Sequence, residues 1–203
     1  MPRGRDLAHR LGRCVWGLVV FGFGVTLIVE ADLGLGPWDV LHQGLHELTG
    51  IPLGTVMILV GVLLLLLWIP LRQRLGLGTF LNALFIGLTV DVTLPLTPTP
   101  SPLLLRIGYL AAGILLVGIG SGYYIGSGLG PGPRDGLMIG LHERFGWSIR
   151  AARTAIELAA LVSGWALGGS VGVGTVAFAL AIGPLVQVFL PRLRLAPLAP
   201  SAT

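Results

Sequence analysis

Residues 34–39, Gly34-Leu35-Gly36-Pro37-Trp38-Asp39, and residues 130–135, Gly130-Pro131-Gly132-Pro133-Arg134-Asp135, share a pattern of two glycines, a proline and an aspartate. Proline suits the first position of a helix, because the amide that it lacks would have no partner there. The aspartate two residues later lies where the helix dipole favours a carboxylate. We therefore predict a glycine-rich bend and a short helix at each place. Long apolar segments flank both, and broken helices inside membrane proteins tend to mark binding sites.

The composition is that of an integral membrane protein. The 203 residues are 54% hydrophobic and 11% charged, with a mean hydropathy of +0.88. A spanning helix needs about 20 apolar residues, and most of the charge-free runs reach that length. The 32 glycines fit close packing of helices in lipid. The net charge of +4 does not indicate nucleic-acid binding, because the arginines lie at the ends of apolar segments.

The apolar segments predict an all-α transmembrane protein with about six spanning helices. The spans are expected near residues 14–29, 52–71, 75–92, 107–125, 148–167 and 171–190. Two further helices, 37–49 and 133–145, are about 20 Å long at 1.5 Å per residue, too short to cross a ~30 Å hydrocarbon core. The predicted parts are a cytoplasmic N-terminal head (1–13), a first membrane repeat (14–92), a proline-rich linker (93–106), a second membrane repeat (107–190) and a cytoplasmic tail (191–203).

The two halves of the chain match each other when the sequence is shifted by 96 residues. The match needs no gap. It includes the bends, the tetrapeptide GLHE at 44–47 and 140–143, and the pattern G-x-G-T at 76–79 and 172–175. A consistent register over about 80 residues indicates an internal duplication, an arrangement that is common among membrane carriers.

The arginines distinguish two arrangements of the halves. If the short helices do not cross the membrane, each half has three spans and the halves are inverted; 12 of the 13 arginines then lie inside and only Arg106 lies outside. If the short helices cross, the chain has eight spans and parallel halves, and the split is 10 to 3. Both arrangements obey the positive-inside rule, but the first obeys it more fully, so we expect inverted halves and a cytoplasmic N-terminus.

The residues around the first bend resemble a known group of bacterial membrane proteins. The segments GLGPWDVL at 34–41, GIPLGT at 50–55 and GLGT at 76–79 are similar to the YczE/YyaS/YitT group, and most similar to its YczE branch. The resemblance covers about residues 12–190, and the second half departs from it at Arg134, which stands where the first bend has Trp38. The resemblance implies a multi-pass protein of the bacterial inner membrane. It implies no particular molecular activity.

The two bends are the first candidate for a functional site. Two half-helix N-termini that meet near the centre of an inverted repeat can hold an anionic group with their free amides. In the alternative interpretation, each bend is a tight turn that only shapes the bundle, and each aspartate only partners the helix dipole. The candidate pathway residues of the bends are Gly34, Gly36, Pro37, Asp39, Gly130, Gly132, Pro133 and Asp135.

Two other groups of polar residues are candidates. Arg150, Arg153 and Glu157 share one helical face of the fifth span, and ionisable groups inside a membrane are costly enough to suggest a pathway. Alternatively, both arginines reach the cytoplasmic interface and Glu157 neutralises one of them. His42 and His46 are four residues apart, a spacing that metal sites use, but a polar helix face at the level of the headgroups explains them as well.

These features favour a small-solute secondary transporter or permease that lies in the lipid bilayer and takes a small molecule or an ion. The alternative is a non-transporting assembly or regulatory factor that acts through a partner protein. A polar cavity lined by the bends would favour transport, and a sealed, glycine-packed core would favour the alternative. We expect no enzyme, because no nucleophile–base set is recognisable. No nucleotide-binding motif is present, so any energy coupling would be by ions or by a partner. We expect no cofactor, and a homo-oligomer is compatible with the sequence.

Overall fold

Within residues 4–196, which a computed structural model describes, the chain folds into eight α-helices and contains no β-strand. The helices are α1 (Gly4–Ala31), α2 (Pro37–Thr49), α3 (Leu53–Leu71), α4 (Leu77–Thr93), α5 (Leu103–Gly126), α6 (Pro133–Phe145), α7 (Ile149–Ala166) and α8 (Val173–Leu193), and a 3-10 turn, Leu94–Leu96, follows α4. The predicted all-helical fold class is confirmed. Residues 1–3 of the predicted head and 197–203 of the predicted tail lie outside the described residues.

Five of the described helices have the length and apolar composition of membrane spans: α1, α3, α4, α5 and α8. The chain is therefore a membrane protein with several apolar helices. The helix at the predicted fifth span, α7, has 18 residues but carries Arg150, Arg153 and Glu157, which make it more polar than the five. The short helices α2 and α6 have 13 residues each, as predicted. The sixth span and the inverted repeat stay predictions.

Much of the predicted N-terminal head continues the first span as helix. α1 begins at Gly4, and the side chain of Arg10 is buried. The Arg10 guanidinium donates to the carbonyl oxygen of Ser127 at 2.9 Å, beyond the end of α5. Arg106, which is 96 residues later, donates to the carbonyl oxygen of Ala31 at 2.8 Å, at the end of α1. The last carbonyls of a helix lack helical partners, so each arginine caps the end of the other helix.

The linker and the tail are shorter than the sequence predicts. α4 ends at Thr93 and α5 begins at Leu103, so helix enters both ends of the predicted linker 93–106. α8 continues to Leu193, beyond the predicted end of the second repeat at residue 190. Prolines accompany two of these ends: Pro95 follows the end of α4 and Pro102 lies directly before α5, whereas α8 contains Pro184 and Pro191 within the helix.

The helices α1 and α5 form the centre of the bundle and run antiparallel. Gly17 of α1 faces Gly120 of α5, and Gly24 faces Gly113, so the residue order along one helix opposes the order along the other. A Cβ atom on Gly17 or Gly24 would lie 2.8 Å from the carbonyl oxygen opposite, which is closer than carbon and oxygen atoms pack. Glycine therefore lets the two backbones touch, the usual basis of close helix association in lipid.

Each bend is held by the start of the last helix in the other half of the chain. The carbonyl oxygen of Leu33 accepts from the amide of Gly174 at 2.7 Å, and that of Leu129 accepts from the amide of Gly78 at 2.9 Å. Gly34 has a φ of +101°, a left-handed conformation that glycine adopts at little cost. Unpaired backbone groups are costly in lipid, so these bonds allow the helix to break inside the bundle.

The remaining helices surround the central pair. The helix α4 packs on α1 and α8 packs on α5, while α2 packs on α7 and α6 packs on α3. Each short helix therefore contacts a long helix of the other half, and the two bends come to face the same interior space.

We predict that Gly24→Ala lowers the thermal stability of the purified protein by about 1–3 kcal/mol, because the added methyl group presses on a backbone oxygen that cannot move aside. The matched control is Gly12→Ala on the same helix, where no atom lies within 4 Å of the added Cβ. There the loss of a helical glycine should raise stability by up to about 1 kcal/mol. Thermal unfolding in detergent measures both, and equal tolerance of the two substitutions would contradict the packing of α1 on α5.

Candidate functional site

The two bends line one cavity of about 340 Å³, which lies inside the helical bundle. All eight described α-helices contribute to its wall. The volume is near the lower end of the range for ligand pockets, about 300–1,000 Å³. Its ionisable and polar lining residues are Asp39, His42, Asn82, Ser121, Tyr124, Arg134, Asp135, Arg153, Glu157 and Gln187.

Asp135 is firmly held on one side of the cavity. Its carboxylate accepts hydrogen bonds from the backbone amide of Gly132 at 3.2 Å and from the hydroxyl of Tyr124 at 3.0 Å. The start of α6 is itself anchored, because the indole of Trp68 donates to the carbonyl oxygen of Pro133 at 2.9 Å in a buried position. The Gly132 amide at this helix N-terminus is thus occupied by a carboxylate, and it is not free to bind an anion.

Asp39, which is 96 residues earlier, has different neighbours. Its side chain is only 7% exposed, and its Oδ1 lies 3.4 Å from Nδ1 of His42 and 3.9 Å from Nη2 of Arg134. Both distances exceed those of ordinary hydrogen bonds, about 2.7–3.2 Å. The Arg134 guanidinium lies 4.8 Å from the centroid of the Trp38 ring, whose face attracts a cation. The carboxylate and the guanidinium are therefore close without being locked together.

Two buried nitrogen atoms beside Asp39 lack hydrogen-bond partners within the described part of the chain: Nε1 of Trp38 and Nδ1 of His42. An unpaired buried polar atom costs free energy, so such atoms call for an explanation. Burial lowers the pKa of the His42 imidazole on the short helix α2, and the Asp39 carboxylate opposes this only in part. The ring is therefore neutral at neutral pH and can donate or accept. This side of the cavity offers hydrogen-bonding groups that a bound solute can satisfy.

A third ionic group lies on α7. Nε of Arg153 donates to Oε1 of Glu157 at 2.9 Å, one turn further along the helix. The two side chains are 50% and 33% exposed, so this pair is more open than the Asp39 carboxylate, whose side chain is 7% exposed. Both residues line the cavity, so the ion pair lies at the more accessible part of its wall.

The structure brings most of the predicted pathway residues to this cavity, but not all of them. Those that line it are Gly36, Pro37, Asp39, Gly132, Pro133, Asp135, Arg153 and Glu157. Gly34 and Gly130 instead pack against the starts of α8 and α4. Arg150 is exposed near the start of α7 and is not among the lining residues. These three residues therefore contribute to packing or to the surface of the bundle and not to the cavity wall.

The two histidines of the predicted metal site have different surroundings. His42 lines the cavity, whereas Nδ1 of His46 lies 2.6 Å from the carbonyl oxygen of Ile51, in the turn after α2. His142 makes the same contact with Trp147 after α6. Among residues 4–196, no group of three or more His, Cys, Asp and Glu side chains is placed to hold a metal ion. The described residues thus give the His42/His46 pair no third ligand.

Sequence reasoning did not assign Trp38, Tyr124 and Arg134 to the site. The hydroxyl of Tyr124 is in an apolar span, and its partner Asp135 is on another helix, so no local pattern joins them. One sequence signal could have pointed to these residues, because they differ between the two halves. At a shift of 96 residues, Trp38 corresponds to Arg134 and Ile28 corresponds to Tyr124. Positions at which the two halves differ supply much of the polar chemistry of the cavity.

Comparisons with known proteins identify relatives in two bacteria. The sequence profile of a family of unknown function, DUF6198, matches residues 8–191. An uncharacterized protein of Haemophilus influenzae is 43% identical over 176 residues, which are 87% of this chain and 81% of that protein. The uncharacterized membrane protein YczE of Bacillus subtilis is 34% identical over 178 residues, 87% of this chain and 83% of that protein.

A third relative is more distant. The uncharacterized protein YyaS of Bacillus subtilis is 26% identical over 179 residues, 86% of this chain and 89% of that protein. No solved structure matches the chain. The resemblance to the YczE and YyaS proteins that the bends and glycine motifs indicate is therefore confirmed.

We predict that Tyr124→Phe lowers the thermal stability of the protein by about 1–2 kcal/mol, because the Asp135 carboxylate loses a buried donor. Tyr123→Phe is the matched control: the ring of Tyr123 lies beside Arg13 and stays in place without the hydroxyl. Its effect should stay within about 0.5 kcal/mol. Thermal unfolding in one detergent compares the two variants, and a Tyr124→Phe variant as stable as the control would show that the bond to Asp135 contributes little.

Proposed function

The chain belongs to the family of unknown function DUF6198, and on that premise we propose that it is a secondary transporter for a small polar solute. The observation that carries the proposal is the cavity, whose wall includes three carboxylates and two guanidinium groups among apolar helices. Ionisable groups inside a membrane are costly, and they commonly mark solute or ion pathways. A bundle that needed only to pack would gain stability from apolar side chains at these positions.

We propose that the transporter consists of two inverted repeats of three spans, with α7 as the sixth span. Paired contacts at a shift of 96 residues support a repeat. Arg10 and Arg106 each cap a helix of the other half. In each bend, a leucine carbonyl accepts from a glycine amide of the other half, and the two leucines and the two glycines are each 96 residues apart. The antiparallel packing of α1 on α5 supports the inversion, since these two helices occupy equivalent places in the halves. Inverted repeats with broken helices at the centre are a common design of secondary transporters.

A contact between the halves supports the arrangement in which α2 and α6 do not cross the membrane. Nε2 of Gln73, after α3, donates to Oε2 of Glu143, near the end of α6, at 2.8 Å. The six-span arrangement places both residues on the cytoplasmic side, whereas eight spans would place them on opposite sides of the bilayer. We accordingly propose a location in the bacterial inner membrane with a cytoplasmic N-terminus, as the arginine distribution favours.

The cavity wall suits a solute that carries both donor and acceptor groups. Nε1 of Trp38 needs an acceptor, while the carboxylate of Asp39 can take a donor. A simple anion fits less well, because the Asp135 carboxylate already occupies the Gly132 amide and each guanidinium has a carboxylate nearby. A small zwitterionic or dipolar solute meets these needs, and a volume of about 340 Å³ limits its size.

We predict that a panel of amino acids, small dicarboxylates and quaternary amines contains a zwitterion that raises the melting temperature of the purified protein. At a concentration of 100 times its Kd, a ligand stabilises the folded state by about 2.7 kcal/mol, which is roughly 5–11 °C for a chain of this size. The same compound should enter proteoliposomes that contain the protein and not empty liposomes.

The variants Asp39→Asn and Arg134→Gln should lose most of this ligand-induced shift, because each removes a charge that faces the cavity. Asp32→Asn is the matched control, since Asp32 pairs with Arg106 outside the cavity and its side chain is exposed. If the ligand still raises the melting temperature of both cavity variants, the ligand binds outside this cavity. If no compound of the panel binds or enters, the alternative of a non-transporting assembly or regulatory factor gains support.

The six-span arrangement makes its own prediction for the loop after α3. The variant Gln73→Cys should react with a membrane-impermeant maleimide in inverted membrane vesicles and not in intact cells. The wild type supplies the blank, because its single cysteine, Cys14, is buried. Labelling of Gln73→Cys in intact cells would show that this loop is outside and would exclude inverted three-span halves.

A further inference from the structure

Two helix pairs that correspond to each other at a shift of 96 residues are packed differently. The helices α3 and α4 pack closely along their length, whereas α7 and α8 scarcely approach each other. The difference is clear at one pair of glycines: a Cβ atom on Gly87 of α4 would lie 2.2 Å from the carbonyl oxygen of Gly54 on α3, but a Cβ atom on Gly183 of α8 would meet no neighbouring atom within 4 Å. One side of the bundle is therefore closed and the corresponding side is open.

A carboxylate holds the closed pair together. Asp91 on α4 accepts from the backbone amide of Gly54 at 2.6 Å and from the hydroxyl of Thr55 at 2.7 Å, at the start of α3. A carboxylate at a helix N-terminus is favoured by the helix dipole and by the unpaired amides there. This contact is possible because Gly54 brings the two backbones together without a side chain between them.

The open pair has none of these groups at the corresponding positions. Arg150 replaces Gly54, Ala151 replaces Thr55, and Gln187 replaces Asp91 at a shift of 96 residues. A long arginine side chain cannot fit where two backbones touch, and a neutral amide on α8 cannot supply the negative charge that the helix dipole favours. The second half therefore lacks the groups that hold α3 and α4 together in this structure.

The cavity extends into the gap between α7 and α8. Residues of both helices line it: Arg153, Glu157, Ile182, Gly183, Val186 and Gln187. The Arg153–Glu157 ion pair lies at this edge, and the Arg153 side chain, 50% exposed, is more open than that of Arg134, which is 34% exposed. Charged side chains are costly against hydrocarbon, so an ion pair and the amide of Gln187 indicate that this gap is not lined by lipid alone.

We propose that the cleft between α7 and α8 is the entrance of the cavity for water-soluble polar solutes, with the Arg153–Glu157 pair at its mouth, and that α3 and α4 form the corresponding closed side. The biological meaning rests on the proposed transport function, but the cleft itself is a property of the protein that does not depend on any solute. In an inverted-repeat carrier, an open side and a closed side at equivalent places are the two halves of one access cycle. The entrance lies at the end of α7 that carries Arg150 and Arg153, which is the cytoplasmic end in the proposed orientation.

The test compares two valines that are 96 residues apart, Val186 in the cleft and Val90 in the closed pair. Val90 is fully buried, whereas Val186 lines the cavity. The variants Val186→Cys and Val90→Cys are reconstituted in nanodiscs and treated with a charged methanethiosulfonate reagent and, separately, with an apolar one. Val186→Cys should react with the charged reagent at least roughly tenfold faster than Val90→Cys, because a buried thiol reacts only after local opening.

Two results would overturn the proposal. If the charged reagent modifies Val186→Cys no faster than Val90→Cys, the cleft is not open to polar solutes. If only the apolar reagent modifies Val186→Cys, the cleft is filled by lipid and is no entrance for such solutes. Neither result depends on finding a transported compound, so a failure of this inference is distinguishable from a failure of the transport proposal.

A second measurement tests the separation of the helices directly. The double variant Thr55→Cys/Asp91→Cys joins residues whose side chains touch, so a mild oxidant should form a disulfide between α3 and α4. The corresponding double variant Ala151→Cys/Gln187→Cys should form no disulfide under the same conditions and should be bridged only by a long bis-maleimide. Rapid disulfide formation between α7 and α8 would show that the two helices meet and would overturn the proposed entrance.

Discussion

Two backbone hydrogen bonds that join the halves allow the helices of this protein to break within its apolar bundle. A bend within an apolar bundle leaves carbonyl oxygens without helical partners, and lipid offers none. Here the carbonyls of Leu33 and Leu129 are met by the amides of Gly174 and Gly78, each at the start of a helix from the other half. The glycines at the bends and at these helix starts are needed because the backbones must touch for the bonds to form.

The same constraint creates the cavity. Since each bend is tied to the other half, the short helices α2 and α6 approach the interior from two sides, and their first turns face each other. The prolines and aspartates that begin these helices therefore bring two carboxylates to one small space. The chemistry of the space comes from residues that break the correspondence of the halves: Arg134 lies beside Asp39, and Tyr124 binds Asp135.

The asymmetry of the halves also bears on access to the cavity. A strictly symmetric protein would have two equal sides, both sealed by glycine contacts like that of Gly54 with Gly87. At a shift of 96 residues, Arg150 and Gln187 stand where the first half has Gly54 and Asp91, so the second side lacks the groups that seal the first. One closed and one open side fit the proposed carrier, and here they accompany a few residues that differ between the halves.

The sequence by itself determined the helical class, the two short helices and most of the cavity's bend residues, because apolar runs, glycine–proline bends and helix-start aspartates are local signals. It placed Gly34, Gly130 and Arg150 in the site, whereas in the structure they pack or lie at the surface. Only the tertiary structure decided that Arg134 meets Asp39, that Tyr124 binds Asp135 and that α7 stands apart from α8. These outcomes depend on how helices that are distant in the chain pack against each other. Backbone contacts between the halves fix that packing, and a local sequence pattern does not reveal such contacts.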